Sequence, residues 1–278
     1  MKLKLELPEI ETYRRDIERE FVGRKIKAVD PKVMTLFPEI KTKKEVTELI
    51  VGSKIESVDR KGMTITVELN NGNYLVIRIG EAAEMSKGSK DRKPKLKMTF
   101  SFTQGGDWKI WDSSAQTKIL ITDAEGLPHA LYDEERPGLD LQSQPLSWIE
   151  FGRFVIQQDK PLKQLLTDQS IFVGIGDIYS NEILFDAGLM YDRSSSTLST
   201  QEVRRLYRSV AGVLHEAARY GGTSHPDRPF FNMIGEEGLF SQHLAVFDKA
   251  GELSPRSRTE ILKTRFKNQP VFYCSTQV

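Results

Sequence analysis

One cysteine, Cys274, is all the thiol the chain carries, so no disulfide can close within it and stability has to come from burial and hydrogen bonding. No apolar stretch is long enough for a membrane span or a secretory leader. This leads us to expect an intracellular protein, cytoplasmic or associated with a nucleoid or nucleus, and no membrane partner. Net charge is also lacking: forty Lys and Arg oppose thirty-nine Asp and Glu, a formal charge of +1. That balance removes the global basic excess by which many nucleic-acid-binding proteins announce themselves. A nucleic-acid face would have to arise from segregation of the charges on the surface. No internal repeat is visible.

At 278 residues the chain has room for one large or two modest domains. Pro8 suits the first turn of a helix with Glu9 and Glu11 at its positive end, and Ile10, Tyr13, Ile17 and Phe21 form one apolar stripe ending near Val22-Gly23. From Lys25 to Ile121 alternating apolar residues predict strands, most plainly Thr64 to Leu69, a turn at Asn70-Asn71-Gly72-Asn73, and Tyr74 to Ile79. A basic segment, Lys87, Lys90, Arg92, Lys93, Lys95 and Lys97, contains only Asp91 in opposition and reads either as a solvated loop or as a phosphate contact. Glu134 to Pro145 lacks periodicity and suits a linker. Beyond it the pattern turns helical, with Trp148, Phe151, Phe154 and Val155 on one face, then Leu162, Leu165 and Leu166, then a helix capped by Ser199 or Thr200 and running to about Tyr220. The tail predicts two strands, His243 to Phe247 and Val271 to Cys274, with turn residues Asp248 to Gly251 after the first.

Gln169 to Gly188 is the most informative stretch. Gly174 and Gly176 interrupt one helical pattern just before another begins, and Gly188 sits where the second should stop. Without Cβ atoms the two glycines can take positive φ and turn backbone N–H groups into an anion-binding concavity suited to phosphate. The plainer reading is a helix pair joined by a tight turn.

This stretch resembles the helix–two-turn–helix of the formamidopyrimidine-DNA glycosylase and endonuclease VIII family. The resemblance extends to the opening Glu6-Leu7-Pro8-Glu9-Ile10-Glu11-Thr12, the glycine loop Gly221-Gly222-Thr223, and Gly238-Leu239-Phe240 before the last hairpin. It implies an α+β fold: an N-terminal helix plus two-sheet β-sandwich over residues 1–133, a linker at 134–146, a helix–two-turn–helix domain at 147–240 and a finger-like β-hairpin at 241–278. It also implies DNA as partner, with RNA or a protein as alternatives, and base-excision repair as context.

Family members attack C1′ of a damaged nucleotide with the secondary amine of an N-terminal proline. Here Leu5 stands at that place behind Met1-Lys2-Leu3-Lys4, and an internal residue offers only an amide nitrogen, which is not nucleophilic. Glu6, matching the general acid, is retained with Glu9, although both also suit an ordinary helix N-terminus. The family's catalytic-site lysine follows a turn matched by Arg60-Lys61-Gly62, and its place is taken by Met63. Gly80-Glu81-Ala82-Ala83 replaces the loop that fills the gap left by a flipped base, and Ser113-Ser114-Ala115-Gln116 replaces the wedge. The zinc ligands of the family's finger fall on Ser254, Ser257, Cys274 and Gln277, its phosphate-reaching arginine on Gln269, and its phosphate-contacting asparagine on Asp177, which is also a good helix cap.

These residues lead us to expect a DNA-binding family member without the proline chemistry, with no cofactor and no metal. Gly174, Gly176, Asp177, Arg60, Lys61 and Lys93 are the candidate nucleic-acid contacts, and Glu6 is the retained acid. Two rivals stand beside this expectation. One is an active glycosylase and lyase using Lys4, Lys2 or a processed N-terminus as its amine; the other is a protein-binding scaffold that no longer touches nucleic acid.

Overall fold

The structure, a computed structural model, describes residues 5–80, 82–88, 96–132, 138–143, 146–226 and 229–278. Lys2, Lys4 and Lys93, and much of the expected linker, lie outside the described residues. The first helix, α1 (Leu7–Phe21), has Glu6 as its N-cap, whose N–H donates to the Glu9 carboxylate at 3.0 Å, and Pro8 in its first turn. Its stripe of Ile10, Tyr13, Ile17 and Phe21 enters the core of a sandwich.

Two antiparallel sheets form that sandwich. The strands are β1 (Ile26–Pro31), β2 (Ile55–Lys61), β3 (Thr64–Leu69), β4 (Tyr74–Arg78), β5 (Ala83–Lys87), β6 (Leu96–Phe102), β7 (Asp107–Asp112) and β8 (Lys118–Thr122). One sheet runs β1-β6-β7-β5 and the other β2-β3-β4-β8. Ile65, Val67, Leu75 and Ile77 of one face Met98, Phe100, Trp108 and Ile110 of the other across the shared core. The expectation of strands alone between Lys25 and Ile121 needs correction, because α2 (Lys43–Ile50) intervenes. Thr42 caps it, accepting from the Glu45 N–H at 3.2 Å, and only Val46 and Ile50 are buried. Two apolar positions in eight residues give too short a period to separate from a strand. A short α3 (Leu127–Tyr132) covers Val76 and Leu120 on the outer face of the second sheet.

The helical part consists of α4 (Trp148–Gln157), α5 (Leu162–Thr167), α6 (Asp177–Ala187) and α7 (Thr200–Arg219). Ser147 and Ser199 each close a capping box, with Glu150 and Glu202 respectively, at the helix starts the sequence marks. α6 is buried on nearly every side, and Gly188, at φ +68°, ends it.

The tail departs from expectation. His243 to Phe247 is not a strand, because the buried carboxylate of Glu182 takes the N–H groups of Ala245, Val246 and Phe247 at 2.7, 3.0 and 2.7 Å, leaving none of the three for a sheet partner. The hairpin instead pairs β9 (Leu262–Phe266) with β10 (Gln269–Tyr273) across a two-residue turn at Lys267-Asn268.

Candidate functional site

Where the N-terminus of α1 meets the N-terminus of α6, a carboxylate enters the two-glycine turn. Glu6 is 2 % exposed. Its oxygens accept from the N–H groups of Gly176 at 2.6 Å, Ile178 at 2.9 Å and Tyr179 at 3.3 Å. The Gly174 N–H goes to the Gln169 side chain at 2.7 Å, and Gly174 itself accepts from Leu7 N–H at 2.8 Å. The expected concavity therefore exists, but its inner donors are filled from within by Glu6 rather than left for a phosphate. Gly174 takes positive φ at +74° as expected, whereas Gly176 does not and serves as the helix N-cap. Both positions need glycine for space: a Cβ on Gly174 would stand 2.9 Å from Leu7 Cβ and Met63 Sδ, and one on Gly176 2.7 Å from Glu6 Cδ. Asp177 is thus the first helical residue and not the cap; its carboxylate lies 4.0 Å from Lys163 Nζ.

Glu9, also buried, accepts from Tyr179 Oη at 2.5 Å, from Thr223 N–H at 2.8 Å and from Glu6 N–H at 3.0 Å. Burial pushes the Glu6 carboxyl up to about 8, the neighbouring Glu9 charge adds to the rise, and the three N–H donors offset part of it. Glu9 is raised for the same leading reason. Beneath the turn, Lys163 is fully buried and donates to Ser180 Oγ at 2.6 Å. Desolvation lowers it to about 8, against the pull of Asp177 and Glu6. Tyr179, Thr223 and Lys163 are members of this site that sequence reasoning missed. Tyr179 is only three residues past Gly176, but no spacing rule marks it.

Around the pair the lining is apolar. Leu5 packs on the sandwich core, Leu7 belongs to the helical core, and Met63 touches both. The segment Ser113 to Gln116 is a tight turn held by Asp112, which accepts from Ser114 N–H at 2.7 Å and Thr117 N–H at 2.8 Å, with Ala115 at φ +57°. It projects no large side chain.

Several expected contacts lie elsewhere. Arg60 is 9 % exposed and joins Glu11 at 3.0 Å to Asp140 at 2.5 Å, so it fastens the sandwich to the segment leading into the helices rather than facing solvent. Lys61 lines a hollow with Glu68, Tyr74 and Leu131 on the outer side of the second sheet, not the glycine turn. Lys87 of the basic segment pairs with Glu20. In the hairpin, Gln269 is held by Thr167, whose Oγ1 accepts from Nε2 at 3.0 Å.

The residues at the family's zinc positions do not fit that ion. They supply one thiol, two hydroxyls and one amide, and they are bonded to the chain. Ser254 Oγ accepts from the N–H groups of Arg256 and Ser257, both at 3.3 Å. Gln277 Oε1 accepts from Cys274 N–H at 2.8 Å while its Nε2 donates to Leu189 C=O at 2.8 Å.

A sandwich and a helical domain joined through one shared leading helix, with a glycine turn closed over that helix's glutamate, define the fold class of the helix–two-turn–helix DNA glycosylases. Two family models match the chain, the formamidopyrimidine-DNA glycosylase N-terminal domain over residues 5–119 and the corresponding H2TH domain over residues 138–228. The chain belongs to the formamidopyrimidine-DNA glycosylase and endonuclease VIII family. Similar curated proteins include formamidopyrimidine-DNA glycosylases of Rickettsia massiliae, 29 % identical over 98 % of this chain and 96 % of that one, and of Acidothermus cellulolyticus, 28 % identical over 97 % and 95 %. Among solved structures, MutM (Fpg) of Thermus thermophilus is 27 % identical with a TM-score of 0.81 over 98 % of this chain and 97 % of that one. Lactococcus lactis Fpg in complex with abasic-site DNA shares the fold, at 22 % identity and a TM-score of 0.82 over 97 % of each chain.

Proposed function

We propose that this chain is a DNA-binding member of the family that has kept the frame and the acid of the glycosylase but not its amine chemistry. The observation that carries the reading is the composition of the centre. Both Leu5 and Met63, which the resemblance aligns with the family's nucleophile and lysine, pack on apolar cores near Glu6. A peptide-bonded leucine and a thioether supply neither a nucleophile nor a cation. Binding itself is supported by the family frame and by relatives solved with DNA. The turn at Ser113 to Gln116, which offers no wedge, supports weak discrimination between intact and damaged duplex. The same reading covers the last hairpin as a finger without zinc, held by the hydrogen bonds of Ser254 and Gln277.

One observation favours a second reading. A carboxyl raised to about 8 is largely protonated at neutral pH and suited to donate a proton, as an active glycosylase with another amine, from Lys4, Lys2 or a processed N-terminus, would require. Fluorescence anisotropy with intact and abasic-site duplexes tests the first reading. Comparable affinities for the two are expected, and a large preference for the abasic duplex would count against it.

A further inference from the structure

We infer that the hollow between the N-terminal parts of α4 and α7 is a docking site for a partner protein, which lays an acidic segment there with an apolar side chain against Trp148 and Tyr207 and carboxylates on Arg204 and Arg208. The inference is independent of the DNA reading. Trp148, Gln201, Arg204, Arg205, Tyr207 and Arg208 line a volume of about 560 Å³. Hollows that take a ligand group measure roughly 300–1,000 Å³. This lining joins two aromatic walls to three guanidinium groups and contains no carboxylate. Trp, Tyr and Arg are the residues in which the binding energy of protein interfaces concentrates.

The cations here differ from those elsewhere in the chain. Arg15 pairs with Glu11, Arg19 with Asp16 and Arg193 with Glu202. Arg205 approaches Glu202 only to 3.9 Å, whereas Arg204 and Arg208, both exposed, pair with no carboxylate among the described residues. Glu150 and Glu202, the acids nearest in sequence to the lining, are held in the capping boxes of α4 and α7. Arg204 and Arg208 stand one turn apart on α7, where like charges repel, and a carboxylate set between them removes that repulsion.

The walls are ordered before anything binds. Tyr207 Oη donates to Leu146 C=O at 2.8 Å and its ring meets Phe151 edge-on at 5.4 Å. The Arg204 guanidinium lies 4.0 Å over the Trp148 ring, and Arg205 Nε donates to Ala187 C=O at 2.9 Å. Groups already fixed lose little freedom on binding. The surface also extends beyond what a free anion covers. On α4, Ile149 and Ile156 are 47 % and 39 % exposed, with the exposed Arg153 between them on one helical face and roughly 10 Å from end to end. Exposed apolar side chains beside unpaired cations match a segment that carries both acidic and apolar residues. The hollow is remote from the glycine turn: α6 starts at that turn and ends at Ala187, which Arg205 holds, so its eleven residues set the two roughly 16 Å apart.

The test is fluorescence anisotropy of the full chain with a labelled peptide that alternates aspartate with leucine and phenylalanine. Two control peptides replace the aspartates by asparagine or the apolar residues by alanine. We expect the first peptide to bind, and its affinity to fall at least about tenfold for each control and for the Arg204→Gln, Arg208→Gln double variant, tenfold being about 1.4 kcal/mol. Trp148→Ala should lose as much, while Lys44→Gln on α2 and an added DNA duplex should change nothing. Melting curves confirm that the variants are folded; if Trp148→Ala is not, the exposed arginines decide. No binding of the peptide up to about 1 mM, or full retention by the folded double variant, would overturn the assignment. Displacement of the peptide by duplex, with duplex affinity lost in the same double variant, would also overturn it and make the hollow a nucleic-acid contact. Peptide binding as expected by a chain that fails to bind duplex would support this site and remove only the DNA reading.

Discussion

Glu6 brings together two demands that conflict: three N–H groups of α6 favour its charge, while burial and the adjacent Glu9 oppose it. Burial prevails, and its carboxyl is raised to about 8 from an ordinary 4.5. A group raised in the folded state contributes stability that is full below its unfolded value and is lost as pH climbs through the folded one. The window is therefore about pH 4.5 to 8. Lys163, lowered to about 8, acts only above that window and in the opposite sense, since release of its proton then relieves burial. Glu6→Gln removes the titration but turns an amide N–H₂ toward a backbone donor. We expect the variant to be less stable than the wild type near pH 5 and the gap to narrow by a few kcal/mol toward pH 8, on the order of 1.4 kcal/mol for each pH step between the unfolded and folded values. Urea melts across that range check this, and a constant gap would contradict it. Glu6 was legible in the sequence because it precedes Leu-Pro-Glu, a helix start. Tyr179 and Thr223 were not, because they join Glu9 only after chain segments 170 and 214 residues apart meet.

At the scale of elements, helix starts were readable where the signal is local: Pro8 with Glu9 and Glu11 in the first turn of α1, and Ser199 as the cap of α7, whose side chain accepts from Glu202 N–H three residues on. The finger was not readable, for the converse reason. Ala245 to Phe247 look like a strand, but their N–H groups belong to Glu182, more than sixty residues upstream. The true outer strand, Leu262-Lys263-Thr264-Arg265-Phe266, reads as a mixed polar segment. On the zinc-free reading proposed above, the hydrogen bonds of Ser254 and Gln277 and the burial of Val271 and Phe272 hold the hairpin. A chelator is accordingly expected to leave the melting temperature unchanged. Gln277→Ala, which orphans the buried N–H of Cys274 and C=O of Leu189, should cost about 1–3 kcal/mol. One zinc per chain by elemental analysis, or a chelator-induced fall in melting temperature, would contradict this account.

Across the whole molecule, α1 is the shared part: Leu7 enters the helical core, Ile10 to Phe21 the sandwich core. Further ties join the halves, two of them far from the glycine turn. Arg60 bridges Glu11 and Asp140, and the segment after Thr223 returns to the sandwich, where Phe230 meets Tyr13 edge-on at 5.2 Å and Met233 N–H donates to Asp16 at 2.9 Å. The change from strand to helix periodicity near residue 147 could be read from the sequence, but these ties could not, since each depends on a long-range contact. They hold the glycine turn, Glu6, Leu5 and Met63 in one place, so the chemistry of that place decides what the molecule does. Borohydride trapping on an abasic-site duplex, with a family glycosylase as positive control, tests this most directly. No covalent protein–DNA adduct is expected from this chain under conditions where it binds the duplex and the control is trapped. An adduct in the wild type that disappears in Lys4→Ala, or on blocking the α-amine, would contradict the account and establish an active lyase with a substitute amine.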